Sequence, residues 1–279
     1  MTDTTWINGL QTASLDPRDR GLQYGDGLFE TIAVFGGHPQ CIEDHLDRLQ
    51  HSAARLKFPD LDMAGLEAEI QRAAGNLEKA VLKLILTRGE SARGYRPPEQ
   101  PEPTRIIMTS SWPLWPGEYY LDGVRSRVCD QRLAIQPALA GMKHLNRLEQ
   151  VLARAEWDDP GIAEGVMLDT EDRLVCGTMS NLYLLSGSDL LTPSLARCGV
   201  KGVMRKQVQK AAATLGLQWH ESDLRMEDAL NADEMYFSNA LIGLWPVREL
   251  DEHRYTRVDG GKRLIATLAA QGVRQCDVS

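Results

Sequence analysis

A short segment rich in proline and tryptophan, WPLWPG at 112–117, is the feature that most constrains the fold of this chain. Proline lacks a backbone N–H and fixes its own φ, so two prolines and a glycine within six residues interrupt helices and sheets alike. The segment therefore predicts a connector near the middle of the 279 residues. We place a small α/β domain at 1–111, an interdomain linker at 112–120 and a larger domain at 121–279.

Strand-like and helix-like segments are mixed on both sides of this connector. In the first half, apolar and β-branched runs predict strands at 28–35, 81–87 and 104–111, and helical spacing of apolar residues predicts helices at 43–56 and 63–75. The segments do not alternate as regular βαβ units. The pattern therefore favours an α+β fold over a doubly wound parallel sheet.

The second half continues this mixture. Strands are predicted at 124–130 and in the short runs GVMLD, RLVC, NLYLL and EMYFS, and helices at 203–216 and 261–271. The segment LNRLEQVLARAEW at 145–157 predicts an amphipathic helix. Its expected buried face consists of Leu145, Leu148, Val151, Leu152 and Ala155.

Composition excludes several classes of function. The net charge of -8 argues against a general nucleic-acid or membrane-surface binder, which would carry a basic face. The five cysteines are far apart and form no CxxC pair, which is typical of reduced thiols in a cytoplasmic protein. The six histidines show no close metal-ligand spacing, and the start, MTDTTWINGL, does not read as a signal peptide. We therefore expect a cytoplasmic protein without a metal site or a membrane span.

Lys143 is the first candidate for chemistry, because it lies at the junction of the loop QPALAGM and a predicted helix. A lysine that is partly desolvated there has a lowered pKa, and its free amine becomes a nucleophile for an aldehyde. The alternative is an ordinary surface lysine at a helix start.

Two further segments are candidate anion sites. The loop RCGVKGVMRK at 197–206 leads into a predicted helix, whose first amides, on Val203 and Met204, would be phosphate donors. Arg48 could grip a pair of phosphate oxygens with its guanidinium fork. The alternatives are a plain glycine loop and a solvated helical arginine. Neither signal is specific alone.

Seven collinear segments carry motifs that can be compared with known families. They are DRGLQYGDGLFET at 19–31, HLDRL at 45–49, TRGESARGY at 87–95, GMKHLNRLEQVLARAEW at 141–157, SNLYLL at 180–185, GVKGVMR at 199–205 and SNALIGLWPV at 238–247. Together these segments resemble the fold-type IV enzymes that depend on pyridoxal 5'-phosphate (PLP), a group that includes branched-chain aminotransferases, D-amino-acid aminotransferases and aminodeoxychorismate lyases. KHLNRLEQ, GVMR and SNAL favour the lyase branch, because the aminotransferases usually carry GITR in the phosphate loop.

The resemblance implies a role for each matching residue. Lys143 corresponds to the lysine that binds PLP covalently and later moves protons, and Arg48 to the arginine that pairs with its phosphate. The resemblance also implies a small α/β domain, a larger pseudo-barrel domain and a homodimer. The remaining implied positions are Val203, Met204, Asn239 and Ala240 near the phosphate, and Arg93, Tyr95 and Phe29 as substrate candidates.

One position departs from the family pattern. The family generally has a glutamate before GxxSN that binds the pyridine nitrogen of PLP, whereas this chain reads LVCGTMSN and has Cys176 there. A carboxylate keeps the ring nitrogen protonated and the ring a strong electron sink. A thiol is a weak donor without a fixed charge, so Cys176 predicts a neutral ring nitrogen.

The resemblance implies elimination of pyruvate from 4-amino-4-deoxychorismate, giving 4-aminobenzoate for folate synthesis. Two alternatives stay open from the sequence. One is an aminotransferase acting on D-amino or branched-chain acids. The other is a PLP-binding protein without catalysis, which the substitution at Cys176 would explain.

Overall fold

The structure of the chain, a computed structural model, describes residues 3–12 and 14–277 and divides into two units. The first unit extends to Leu114 and also includes Met142–Asn146, and the second contains Trp115–Gly141 and the residues from Arg147 onward. The change of unit after Leu114 falls within the segment that we took as the linker. The return of Met142–Asn146 to the first unit was not expected from the sequence.

The first unit is built on a six-stranded sheet with the order β2-β1-β6-β5-β3-β4, in which every neighbouring pair is antiparallel. The strands and helices predicted in this half are confirmed to within two residues. The elements are β1 (Thr4–Ile7), β2 (Leu10–Gln11), α1 (Arg20–Tyr24), β3 (Gly27–Phe35), β4 (His38–Pro39), α2 (Ile42–Arg55), α3 (Met63–Ala74), β5 (Lys79–Thr87) and β6 (Thr104–Ser111).

One face of this sheet forms the core of the first unit. Alternate residues of a strand point to the same side, so Leu28, Ile32 and Val34 of β3 share a face with their β5 partners. These side chains are at most 1% exposed. Helix α2 packs on β3 and contributes the buried Leu49 and Ala53. The same alternation places Glu30 on the buried side, between Leu28 and Ile32.

The second unit is built on a mixed nine-stranded sheet with the order β12-β11-β10-β13-β14-β7-β8-β9, and β15 pairs with β14. The backbone of Leu174 on β9 also pairs with Leu224, just beyond β12, so the two ends of the sheet approach each other. The strands are β7 (Val124–Val128), β8 (Ile162–Leu168), β9 (Leu174–Gly177), β10 (Asn181–Ser186), β11 (Asp189–Pro193), β12 (Gln218–Ser222), β13 (Glu234–Asn239), β14 (Gly243–Leu250) and β15 (His253–Arg254).

Helices cover this sheet and complete a large apolar core. Trp245, at 1% exposure, lies in that core, and α8 adds Leu264, Ile265 and Leu268. Helices α6 and α8 pack on each other, and each contacts β13. The helices are α4 (Glu118–Leu121), α5 (Leu148–Arg154), α6 (Val203–Thr214), α7 (Met226–Asn231) and α8 (Asp259–Ala270), followed by a 3-10 helix at Arg274–Cys276.

The amphipathic helix predicted at 145–157 is wrong in extent and in the burial of its apolar face. Helix α5 begins only at Leu148 and ends at Arg154. Leu148, Val151 and Leu152 are exposed by 76%, 59% and 57%. Residues 143–145 are instead drawn into backbone pairing with β3. The helical periodicity correctly predicted the seven residues of α5, but the described residues of the second unit leave its apolar side exposed.

Among the described residues, none of the helices combines the length and the apolar character needed to cross a membrane.

Candidate active site

Lys143 is held by backbone pairing with the first residues of β3. The amide of Phe29 donates to the carbonyl of Lys143 at 2.9 Å, and the amide of Leu145 donates to the carbonyl of Gly27 at 3.0 Å. His144 and Leu28 form an antiparallel bridge. The lysine is therefore fixed on the open edge of β3, where β4 does not pair, and its backbone has little freedom to move.

The Lys143 ammonium group lies 4.2 Å from the centroid of the Phe29 ring. A cation over an aromatic face is attracted by the ring quadrupole. Lys83, on the neighbouring strand β5, places its Nζ atom 5.4 Å from the same ring. Phe29 was a substrate candidate from the sequence, and the structure adds that its ring directs the Lys143 side chain.

Glycines in the YGDG motif allow this arrangement. Gly25 ends α1 with a φ of 64°, and a Cβ there would lie 2.7 Å from Asn146 Oδ1. A Cβ on Gly27 would lie 2.7 Å from Leu145 Cδ1. Side chains at either position would push away the segment that carries Lys143, which explains why two glycines flank Asp26.

Arg48 binds the carboxylate of Glu30, a residue of the same unit. Its Nε atom donates to Glu30 Oε1 at 2.8 Å, and its Nη2 atom donates to Glu30 Oε2. His45 Nδ1 contacts Glu30 Oε2 at 2.6 Å. The fork that we expected to face a phosphate therefore binds Glu30. A phosphate contact of Arg48 stays a prediction.

Glu30 is a site residue that the sequence analysis missed. Burial alone would raise the pKa of its carboxyl, but the charge of Arg48 and the hydrogen bond with His45 outweigh burial and lower that pKa to about 2. The carboxylate is 2% exposed. A signal was available, because strict alternation along β3 placed one charged residue among buried apolar ones.

Acid unfolding should reveal this ion pair. A carboxyl whose pKa falls from about 4.5 to about 2 on folding stabilises the protein by about 3 kcal/mol above pH 4.5, and this contribution disappears as the pH falls toward 2. Glu30→Gln should therefore lower the free energy of unfolding at pH 7 by about that amount. Its deficit relative to wild type should shrink on acidification, as urea unfolding across pH 2–7 would measure.

Glu69→Gln is the matched control for this prediction. Arg105 forks onto Glu69 with distances of 3.0 and 2.9 Å, but its side chain is 34% exposed. Exposed pairs contribute about 1 kcal/mol or less. Parallel stability curves for wild type and Glu30→Gln across the acid range would contradict the assignment.

Arg93 and Tyr95 lie on a loop whose backbone is held by hydrogen bonds from a buried arginine. Arg20 is 3% exposed and donates to the carbonyl oxygens of Gly94 and Tyr95 at 3.0 and 2.9 Å. Arg20 and Arg88 both donate to Asp26 Oδ2 at 2.8 Å. The Arg93 side chain is exposed, and Tyr95 is 85% exposed. The structure therefore presents both side chains to solvent on a fixed backbone.

In the second unit, Val203 and Met204 begin α6, as predicted. Gly202 is the N-cap, and its amide donates to Asn181 Oδ1 at 3.0 Å. A Cβ on Gly202 would lie 2.1 Å from that oxygen. The first amides of a helix have no partner within the helix, so α6 offers donors suited to an anion. Asn181 is a second residue that the sequence analysis missed.

Asn239 is the last residue of β13, and Ala240 begins the tight turn that follows. Asn239 Oδ1 accepts from the amides of Leu241 and Ile242 at 2.8 and 2.9 Å, and its Nδ2 donates to the carbonyl of Met179 at 3.2 Å. The side chain of Asn239 is therefore used to shape the turn. Any contact between this turn and an anion would therefore be made by backbone amides.

Cys176 lies on β9 within a small apolar cluster and is 7% exposed. Burial raises the pKa of its thiol well above the usual range, so the thiol is neutral near pH 7. Burial likewise lowers the pKa of Arg147, whose charge interacts with Cys176. The site thus has a neutral group where the resemblance would place a carboxylate.

Comparisons with known proteins agree with this architecture. The family model for class IV aminotransferases matches residues 27–250. The aminodeoxychorismate lyase of Vibrio harveyi is 36% identical over 87% of this chain and 89% of its own length. A putative branched-chain-amino-acid aminotransferase of Methanocaldococcus jannaschii is 32% identical over 88% of this chain and 87% of its own length.

A solved structure is more similar still. The crystal structure of 4-amino-4-deoxychorismate lyase from Pseudomonas aeruginosa has a TM-score of 0.92 and 47% identity, covering 95% of this chain and 98% of that one. The predicted α+β, fold-type IV architecture is confirmed by these matches. The chain belongs to the class IV aminotransferase family.

Proposed function

We propose that this protein is a PLP-dependent lyase that converts 4-amino-4-deoxychorismate to 4-aminobenzoate and pyruvate, a step of folate synthesis. The observation that carries the proposal is the anchoring of Lys143, whose backbone pairs with β3 and whose amine lies against the Phe29 ring. A surface lysine at a helix start would show neither contact. The matches to two lyases support the choice of reaction.

The residues present fit PLP. Lys143 supplies the amine that would bind its aldehyde, and the α6 amides of Val203 and Met204, with the turn at Asn239 and Ala240, suit its phosphate. Arg48 is the candidate that the resemblance gives for a positive charge on that phosphate. PLP, when bound, withdraws electrons from the amine-bearing carbon of the substrate and spreads the charge left by deprotonation.

Lys143 then acts as the proton carrier. Its amine removes the proton from the amine-bearing carbon and returns a proton to the departing enolpyruvate, which becomes pyruvate. The Phe29 ring restricts where the amine can swing. Arg93 and Tyr95 are proposed to meet a substrate carboxylate, which a guanidinium and a phenol can both bind.

Two further properties belong to the proposal. We propose a homodimer, supported by the exposed apolar side chains of Leu148, Val151 and Leu152 on α5, which a second copy could cover. We also propose a cytoplasmic location, supported by five cysteines that are all free thiols.

The deciding experiment supplies 4-amino-4-deoxychorismate, made in situ from chorismate by its synthase, to the PLP-loaded protein. We expect equal amounts of 4-aminobenzoate and pyruvate. The alternative is transamination, because the family includes aminotransferases. Release of D-glutamate from D-alanine and 2-oxoglutarate, without 4-aminobenzoate, would replace the lyase proposal. A visible band of lysine-bound PLP without turnover of any amine would favour the non-catalytic alternative.

A further inference from the structure

Glu164 is a buried carboxylate of the second unit to which none of the roles above assigns a task. It lies on β8, is 1% exposed, and accepts five hydrogen bonds. Oε1 accepts from the amide of Gly165 at 2.9 Å and from the amide and hydroxyl of Thr178 at 2.9 and 2.5 Å. Oε2 accepts from the Ser180 hydroxyl at 2.7 Å and the Met179 amide at 3.3 Å.

Four of these five donors belong to one short loop. Residues 178–180, which we call the β9–β10 loop, connect the end of β9 to the start of β10, and each of the three donates to Glu164. A Cβ on Gly177 would lie 2.7 Å from Glu164 Oε2. Glycine before the loop therefore lets the carboxylate approach, and a single side chain fixes the path of the loop.

The β9–β10 loop in turn contacts one of the two segments with candidate phosphate amides. The carbonyl of Met179 accepts from Asn239 Nδ2 at 3.2 Å. The same Asn239 side chain shapes the turn through the amides of Leu241 and Ile242. A hydrogen bond thus joins the β9–β10 loop to this turn.

The residue that follows the loop contacts the other segment. Asn181 accepts from the amide of Gly202 at 3.0 Å and donates to the carbonyl of Val200 at 2.9 Å. Gly202 is the N-cap of α6. Hydrogen bonds therefore connect Glu164, through one loop and its neighbour, to both amide-bearing segments.

We propose that Glu164 is a positioning residue that fixes the β9–β10 loop and thereby aligns the Asn239 turn and the α6 N-terminus for the cofactor phosphate. This inference rests on the proposed function, because it takes PLP as the ligand. Burial raises the pKa of the Glu164 carboxyl, and the hydrogen bonds from Thr178 and Ser180 oppose that shift. A carboxylate suits the task, since it only accepts hydrogen bonds and five donors converge on it. Glutamine of the same shape would turn an NH2 group toward at least one of those donors.

Glu234 provides a matched control in the same unit. It lies on β13, is 3% exposed, and accepts from the amides of Gly260 and Gly261 at 2.9 and 3.0 Å and from the Tyr236 hydroxyl at 2.9 Å. It is therefore another buried carboxylate that accepts amides and a hydroxyl, but its amide donors lie at the start of α8 and its hydroxyl donor lies on β13 itself. Its loss should cost stability without touching the phosphate segments.

The test compares PLP with pyridoxal, which lacks the phosphate. Apoprotein of wild type, Glu164→Gln and Glu234→Gln is titrated with each compound by absorbance, and urea unfolding measures stability. Both variants should lose stability. We expect Glu164→Gln to lower the preference for PLP over pyridoxal by about tenfold or more, the effect of losing one charge-assisted hydrogen bond to phosphate. Glu234→Gln should keep the wild-type preference.

An unchanged preference in folded Glu164→Gln would overturn the inference and leave the carboxylate a purely structural group. Should that variant not fold, Ser180→Ala removes one donor to Glu164 and should lower the preference by a smaller factor. A folded Ser180→Ala with the full wild-type preference would overturn the inference equally. Failure of the proposed function is distinguishable, because PLP-loaded wild type would then release no 4-aminobenzoate, whatever preference for PLP each protein shows.

Discussion

Lys143→Ala is expected to lower the rate of 4-aminobenzoate release by about 10²- to 10⁴-fold, the range for removal of a positioned acid-base group. The variant should still fold, because the hydrogen bond that holds residue 143 to β3 comes from its backbone carbonyl and is kept in the variant. The visible band of lysine-bound PLP should disappear with the activity. The turnover assay, an absorbance spectrum and urea unfolding measure the three effects.

Lys83→Ala is the matched control for this substitution. Lys83 is also a lysine of the first unit whose amine lies over the Phe29 ring, at 5.4 Å. If an amine close to Phe29 were sufficient for catalysis, Lys143→Ala and Lys83→Ala would lose similar activity. We expect Lys83→Ala to retain activity within about threefold of wild type, which is the modest effect of removing one exposed charge. Retention of a tenth of the activity in Lys143→Ala would refute the assignment of the lysine.

Cys176→Glu is expected to separate elimination from transamination. We propose that Cys176 lies beside the pyridine nitrogen of PLP, where a carboxylate would keep that nitrogen protonated and strengthen electron withdrawal. Elimination also gains stabilisation from forming an aromatic ring, whereas transamination has no such help. The substitution should therefore change lyase activity by less than about tenfold and raise transamination of D-alanine by a larger factor.

The same substitution should destabilise the apoprotein. Cys176 is enclosed by Cys129, Met167, Val175 and Cys198 and is 7% exposed, so a larger side chain overpacks the cluster by about 1–3 kcal/mol. Cys176→Gln carries the same volume without the charge and is the control. A lyase rate that rises by several orders of magnitude only in the glutamate variant would show that the native site is not adapted to a thiol.

The strands and helices of the first unit could be predicted because the sequence patterns that indicate them involve only neighbouring residues. The β-branched run of β3 and the helical spacing of α2 each lie within one element. The segment after Lys143 could not be predicted in the same way, because residues 143–145 pair with a strand more than a hundred positions earlier. Periodicity favoured a helix there, and a distant partner determined the extended backbone instead.

Some residues of the candidate site could also be predicted from the sequence, and others could not. The helix start at Val203 and the glycines of its loop were visible in the sequence, since glycine and helix signals are local. The role of Glu164 was not, because its donors on the β9–β10 loop lie 14–16 positions further along the chain. The fork of Arg48 onto Glu30 also joins a helix to a strand. Sequence patterns identify the charged residues but do not show which of them contact each other.

The buried guanidinium of Arg20 has a consequence for protein engineering. It is paired with Asp26 and also donates to two carbonyls of the loop that carries Arg93 and Tyr95. Grafting that loop from a relative would transplant the side chains without their support. A designer who wishes to alter substrate choice should therefore vary the exposed side chains on the existing backbone, or exchange the loop, Arg20 and Asp26 as one cassette.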